Sequence, residues 1–191
     1  MIPTPEMNCA AFAGTELLGR GRPHDVIAAV KAAADAGQDV LVFDLASGRT
    51  VEFDLRGDLA AVTGRLPQET SIQDEAAKKG PGRPKLGVTA REVTLLPRHW
   101  DWLSGRPGGA SVSLRKLVEA AMREAEGPDR MRTARETTYR FMTAMAGDLA
   151  HYEAATRALF AGDRAGFAAA VADWPEGVRE TAQTMAEDGW R

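Results

Sequence analysis

The 191-residue sequence is poor in cysteine, in aromatic side chains and in long apolar runs. Its single cysteine, Cys9, cannot form an intramolecular disulfide, which argues against a disulfide-stabilised secreted fold. The chain has no apolar run of about eighteen residues, as a membrane-spanning helix would need, and no secretory leader with a cleavage site. Hydrophobic residues still make up 44% of the chain, which is enough for packed cores. We therefore expect a folded cytoplasmic protein that makes no membrane contact.

Groups of residues that could perform catalysis or bind a metal are also scarce. The three histidines, His24, His99 and His151, are isolated from one another and from Cys9, without metal-ligand spacing. An enzyme would need acid, base or metal groups that converge on one site. Asp148 and Asp163 as paired catalytic carboxylates are an alternative, but helix capping accounts for both. The sequence predicts no enzyme activity, no cofactor and no metal.

The net charge of −3 conceals a basic middle segment. Residues 78–116 contain nine Lys or Arg and two acids, a formal charge of +7, so the rest of the chain carries −10. A compact positive stretch in an acidic chain is typical of a module that displaces counterions from DNA phosphates. A solvated linker surface would also carry such charge.

Hydrophobic periodicity divides the chain into four parts and predicts an α+β fold. Residues 1–56 form a small N-terminal α/β domain, with apolar stretches at 9–12 and 15–18 and a helix from Pro23 to Gly37. A hairpin follows, with strands at 40–45 and 50–55 around a Ser47-Gly48 turn. Residues 57–90 are a polar basic linker, with a short helical stretch possible at 71–77. Residues 91–127 and 128–191 are a central module and a helical C-terminal domain.

The central module has the order strand, short helix, turn, longer helix. The strand covers 91–96, Pro97 begins a helix that ends near Leu103, a glycine-rich turn covers 105–109, and the second helix begins at Ser113. The Leu96-Pro97 dipeptide and the segment from Ser113 to Ala121, with its adjacent Leu117 and Val118, resemble the ribbon-helix-helix family of DNA-binding proteins. The apolar stripes of the two helices, with Trp100 and Leu103 on one face of the first, need a covering partner.

This resemblance implies a homodimer whose two strands pair and enter the DNA major groove. With Leu96 packed inward, the groove-facing residues are Arg91, Val93 and Leu95, of which only Arg91 is a strong donor to base edges. The backbone amides after Ser113 would meet a phosphate. Arg115 and Lys116 would assist them.

A second resemblance lies just before this module. Lys78, Lys79 and Lys85 flank a Gly82-Arg83-Pro84 core, and the segment 78–85 resembles an AT-hook. The resemblance implies that Arg83 inserts into a narrow A·T minor groove. A stiff basic linker is the alternative, since Gly-Arg-Pro also occurs at 21–23 and 105–107 without flanking lysines.

The C-terminal segment contains a short internal repeat. Residues 146–155 recur as 161–170, and each copy carries an Ala-Gly-Asp start. In each copy Gly can end one helix in the left-handed conformation while Asp caps the next helix. Tyr152 and Phe167 then occupy equivalent core positions.

These features together predict a homodimeric, sequence-preferring transcriptional regulator that binds double-stranded DNA. An antitoxin-like or adaptor role in protein interaction is the alternative, and an unknown protein or small molecule is a possible effector. The whole chain also resembles an uncharacterised bacterial family of unknown function, a likeness that implies no mechanism.

Overall fold

The computed structural model of the protein describes residues 1–67, 89 and 91–190. Within these residues it contains a three-stranded sheet and seven α-helices, so the predicted mixed α+β class is confirmed. The chain divides into two compact units. Met1–Glu69 and Pro128–Arg191 form one, called here the sheet unit, and Thr70–Gly127 forms the other, the central unit. Residues 1–56 and 128–191 thus lie within one compact unit.

The sheet is antiparallel and has the order β2-β1-β3. Its strands are β1 (Cys9–Ala13), β2 (Glu16–Gly21) and β3 (Val40–Asp44). The first four residues of β1 are all fully buried, because helices cover one face of the sheet and α1 covers part of the other. A short uninterrupted apolar run is typical of such a strand. The predicted apolar stretches at 9–12 and 15–18 correspond to β1 and β2.

Helix α1 (Pro23–Asp35) agrees closely with the sequence prediction. Pro23 occupies the first turn, where its missing N–H costs no hydrogen bond. Val26, Ile27 and Val30 are buried at helical spacing. The chain leaves the helix through Gly37 at φ +77°.

The prediction of a second hairpin strand at 50–55 is wrong. Only Thr50 forms a bridge to β3, opposite Phe43, and Val51 donates its N–H to the Val42 carbonyl at 2.7 Å. The next N–H, that of Glu52, donates to Met1 instead, so the backbone leaves β3 after one pair. Val51 is nevertheless buried, and Phe53 and Leu55 pack against the core as their alternation predicted; the short helix α2 (Leu59–Gly64) follows.

The helical half of the sheet unit covers one face of the sheet. Its helices are the C-terminal part of α4 (Gly109–Ala146), α5 (Tyr152–Ala161), α6 (Arg164–Ala170) and α7 (Glu176–Ala186). Phe12 and Phe43 of the sheet meet Phe141 of α4, with ring centroids 5.7 and 5.1 Å from Phe141. Leu159 and Phe167 complete the centre of this core. Burial of each such side chain stabilises a fold by about 1.5–3 kcal/mol.

The predicted helix corners are right for one copy of the repeat. In the second copy, Gly162 is left-handed at φ +73° and Asp163 accepts the Gly166 N–H at 2.9 Å. In the first copy, the left-handed residue is His151 at φ +64°, and no described residue donates a hydrogen bond to Asp148. The two copies share a sequence pattern but turn at different residues.

Helix α4 is longer than the sequence predicted. The prediction that a helical tail begins only after Gly127-Pro128 is wrong, because Pro128 lies inside one helix of 38 residues. A proline within a helix removes one backbone hydrogen bond, and the helix-forming residues on both sides continue the helix. Among the described helices, none is both long and apolar enough to cross a membrane.

Candidate nucleic-acid interface

The central unit presents two helices joined by a glycine-containing turn. Helix α3 (Pro97–Ser104) has Pro97 in its first turn, as the sequence predicted, and ends one residue after the predicted Leu103, with Gly105 as its C-cap. Gly108 and Gly109 both have positive φ, +89° and +74°, a conformation that favours glycine. These two glycines turn the chain from α3 into α4.

Helix α4 begins at Gly109, four residues before the predicted start at Ser113. The first N–H groups of a helix have no acceptor within it, and these are the groups that can bind an anion. In this chain the Gly109 N–H donates to the Arg106 carbonyl at 3.0 Å, so the N–H groups without an acceptor among the described residues are those of residues 110–112. Ser113 lies in the second turn and is half-buried.

An apolar groove lies between α3 and the first turns of α4, with a volume of about 270 Å³. Six side chains line it: Leu95, His99, Trp102, Leu103, Leu114 and Leu117. Leu103 is the single large apolar residue of the described central unit that a single copy buries, at 2% exposure. The groove therefore has a floor but no cover among the residues that the structure describes.

Large apolar side chains around this groove are exposed. Trp100 is 39% exposed, Leu117 49% and Val118 54%. Other exposed apolar residues of the unit are Val93, Leu96, Trp102 and Met122. Such a concentration of exposed large apolar side chains in a small unit is typical of a surface that another chain covers.

Basic side chains share the unit with this apolar surface. The Arg106 guanidinium carbon lies 4.0 Å from the ring centroid of Trp102, a cation–π contact that holds the charge beside the groove. Arg115 and Arg123 each donate from Nε to a carbonyl of α4, that of Ser111 and that of Glu119. No described carboxylate forms an ion pair with these three arginines.

The residues predicted to contact DNA fall into two groups. Lys78, Lys79, Arg83 and Lys85, the AT-hook-like segment, lie outside the described residues, as does the predicted helical stretch at 71–77. The others are described: Arg91, Val93, Arg115 and Lys116 are exposed, and Leu95 and Ser113 are half-buried.

The segment 91–96 is not part of any strand of the described chain. Its predicted partner is the same segment of a second copy, so the ribbon stays a prediction. The expected inward position of Leu96 is not found in the single chain, where Leu96 is 51% exposed and Leu95 lines the groove.

Sequence reasoning missed the role of Trp102. It favoured Trp100 as the packed tryptophan, whereas Trp102 lines the groove and carries Arg106. The spacing of Leu95, His99 and Trp102 places them on one side of the chain entering α3, one helical turn apart, and would have indicated this groove.

The described residues contain no group of three or more His, Cys, Asp or Glu arranged to hold a metal ion.

Comparison with known proteins gives a family and no closer relative. No curated protein and no solved structure matches the chain. One family model, described as "Uncharacterized protein conserved in bacteria (DUF2239)", matches residues 8–186. Since that match covers nearly the whole sequence, the chain belongs to this family of uncharacterised bacterial proteins.

Proposed function

We propose that the protein is a DNA-binding transcriptional regulator that acts as a homodimer through its central unit. The proposed arrangement is a ribbon-helix-helix module at 91–127, preceded by a basic linker at 57–90 whose AT-hook-like segment contacts the minor groove. Residues 1–56 and 128–191 would supply the rest of the regulator.

The observation that carries this proposal is the uncovered apolar groove beside unpaired basic side chains. A unit whose described residues bury one large apolar side chain within a single copy should gain most of its stability from a partner. A second copy brings an identical groove and an identical set of cations, so dimerisation both covers the apolar surface and doubles the positive charge.

The positive charge of the central unit supports DNA as the partner of its exposed basic side chains. Arg91, Arg98 and Arg115 are exposed, and no described carboxylate pairs with them. Unpaired cations on a small unit neutralise phosphates without first breaking an internal ion pair. The first-turn amides of α4 at 110–112 would add a second kind of phosphate contact.

Fluorescence anisotropy with the full-length protein would test this proposal. Binding is measured on an A·T-rich duplex, a G·C-rich duplex and a duplex selected from random DNA, each at two salt concentrations. We expect Arg91→Ala to cost about 1–3 kcal/mol on the selected duplex, because a bidentate contact to a base edge is lost. Arg115→Ala should weaken binding to every duplex about equally, since its contact is to phosphate.

Arg83→Ala addresses the minor-groove segment separately. It should weaken binding chiefly on the A·T-rich duplex and reduce the salt dependence by about one counterion per copy. Arg157→Ala serves as the matched control, because Arg157 is an exposed arginine of the sheet unit, 73% accessible, and should leave binding unchanged. If all four variants lose affinity equally, DNA binding depends on a diffuse positive patch and not on specific contacts.

A protein-interaction role, antitoxin-like or adaptor, is the alternative, since a partner protein would also cover the apolar groove. The helices from Tyr152 onward pack in one core with the sheet, an arrangement unlike an antitoxin tail that wraps a toxin. Failure of the wild type to bind any duplex at low salt would replace the DNA proposal with this one.

A further inference from the structure

The sheet unit contains a second concave surface, unrelated to the groove of the central unit. This cleft has a volume of about 490 Å³, within the range of small-molecule sites. Its apolar walls are formed by Ile2, Pro3, Phe53, Val62, Leu66 and Pro67. Val62 and Leu66 are buried and belong to the core between α1 and α2, so the floor of the cleft is rigid.

Three charged side chains line the same cleft: Glu52, Asp54 and Arg65. Arg65 is held in place by the chain itself. Its Nε lies 3.3 Å from an Asp54 carboxylate oxygen, and its Nη2 donates to the backbone carbonyls of Asp54 and Arg56. Nη1 has no partner among the described residues, so one end of the guanidinium is free to donate.

The two carboxylates of the cleft differ in what balances their charge. Asp54 accepts two hydrogen bonds of 2.8 Å from the Arg56 guanidinium, and hydrogen bonds from Arg56 hold the pKa of Asp54 well below its usual range. Its negative charge is therefore already balanced. The Glu52 carboxylate forms no hydrogen bond or ion pair with any described residue.

The cleft thus offers an apolar floor, one unbalanced carboxylate and one guanidinium with free donors. A ligand complementary to all three has an apolar body, an ammonium group and a carboxylate. We propose that this cleft binds a small zwitterion with an apolar body, of the class of an aromatic α-amino acid, with its ammonium at Glu52 and its carboxylate at Arg65. This site goes beyond DNA binding and gives the sheet unit a ligand of its own.

Isothermal titration calorimetry on the full-length protein, without DNA, would test the proposal with four probes. L-phenylalanine carries all three features, 3-phenylpropionate lacks the ammonium, 2-phenylethylamine lacks the carboxylate and L-serine lacks the apolar body. We expect saturable binding of L-phenylalanine and binding weaker by at least about twofold for each of the others, since each loses one complementary contact.

Variants assign each contact to a residue. Glu52→Gln should weaken L-phenylalanine binding about two- to fivefold and should not weaken 3-phenylpropionate binding, because that probe has no ammonium. Arg65→Gln should weaken both and leave 2-phenylethylamine unchanged. Glu16→Gln is the matched control, an exposed acid on β2 outside the cleft, and should bind like the wild type.

Thermal denaturation of each variant separates loss of the site from loss of the fold. Glu52→Gln keeps the test decisive even if Arg65→Gln unfolds, since Glu52 is exposed and its side chain forms no hydrogen bond or ion pair with a described residue. Absence of saturable L-phenylalanine binding would overturn the proposal. So would equal affinity for the three aromatic probes, or equal behaviour of Glu52→Gln and Glu16→Gln.

Discussion

At the scale of single residues, Gly48 is a position where the sheet half and the helical half of the sheet unit make close backbone contact. Gly48 has φ +68°, and a Cβ at this position would lie 2.3 Å from the backbone carbonyl oxygen of Thr137 in α4. Arg140 of the same helix donates to the neighbouring Ser47 carbonyl at 2.9 Å. The turn after β3 therefore touches α4 backbone to backbone, which only glycine permits.

Gly48→Ala should destabilise the protein more than Gly37→Ala. Both glycines have positive φ, but open space surrounds Gly37, so its substitution carries the conformational cost alone. The additional steric cost at Gly48 should lower the free energy of unfolding by about 1–3 kcal/mol more than the substitution at Gly37 does. Urea denaturation of both variants measures the difference, and equal losses would contradict the close contact.

The Cys9 thiol gives a prediction about pH. Burial, and to a smaller extent the nearby Asp44 carboxylate, raise the pKa of this thiol to about 11. The folded state therefore holds the thiol proton at pH values where the unfolded state, with an ordinary thiol pKa near 9.0, has lost it. Unfolding then releases a proton between about pH 9 and 11, so stability falls as the pH rises through this interval.

Cys9→Ala should remove this part of the pH dependence. The wild type should lose up to about 1.4 kcal/mol more per pH unit than the variant in that interval. Thermal denaturation of both proteins at pH 8 and pH 10.5 provides the measurement. Identical slopes for the two proteins would show that Cys9 does not stay protonated in the folded state.

Residue burial was partly predictable from the sequence. The alternation of Val51, Phe53 and Leu55 predicted which side chains point inward, although the strand itself does not form. The position of Trp102 in the groove lining was not predicted. Periodicity gives the direction of a side chain relative to its own element, whereas the groove at Trp102 depends on where α4 lies beside α3.

At the scale of elements, the two copies of the Ala-Gly-Asp segment allow a comparison between an aspartate that caps a helix and an equivalent aspartate that does not. Asp163 accepts the Gly166 N–H and caps α6, whereas Asp148, the equivalent residue of the first copy, receives no hydrogen bond from a described residue. Asp163→Ala should therefore cost about 1 kcal/mol, the usual value of a helix N-cap. Asp148→Ala should change the free energy of unfolding by less than about 0.5 kcal/mol. Denaturation midpoints of the two variants test this, and similar losses would contradict the assignment of the cap to Asp163 alone.

Elements with strong local signals were predicted well. Helix α1 begins at a proline and ends before a glycine, and α3 also begins at a proline, so local chemistry sets those boundaries. The start of α4 depends on Gly108 and Gly109 turning the chain early. Its passage through Pro128 contradicts the local signal, because a long helix tolerates the loss of one hydrogen bond.

At the scale of the whole molecule, the core of the sheet unit joins segments far apart in sequence. Phe12 and Phe43 pack against Phe141, about a hundred residues later. No periodicity within either segment encodes this pairing, so the sequence predicted apolar faces on both sides without their mutual contact. The central unit presents the opposite case, an apolar face that no described part of its own chain covers.

The uncovered face predicts the oligomeric state of the full-length protein. Sedimentation should show a dimer at micromolar concentration for the wild type and a monomer for the double variant Leu117→Glu, Val118→Glu, because two charges per copy in an apolar interface oppose its burial. Both side chains are about half exposed in one copy, so the variant should fold. Leu59→Glu, at a leucine of the sheet unit that is 44% exposed, is the matched control and should remain dimeric.

DNA binding should follow the dimer. A monomer presents half of the cations and half of the first-turn amides, so the double variant should lose more than about tenfold in affinity on every duplex. The thermal transition of the sheet unit should stay unchanged, since its core contains neither substituted residue. A monomeric wild type would refute the homodimer. If the double variant is monomeric and still binds DNA with wild-type affinity, the cations of one copy are sufficient for binding and the dimer is not required.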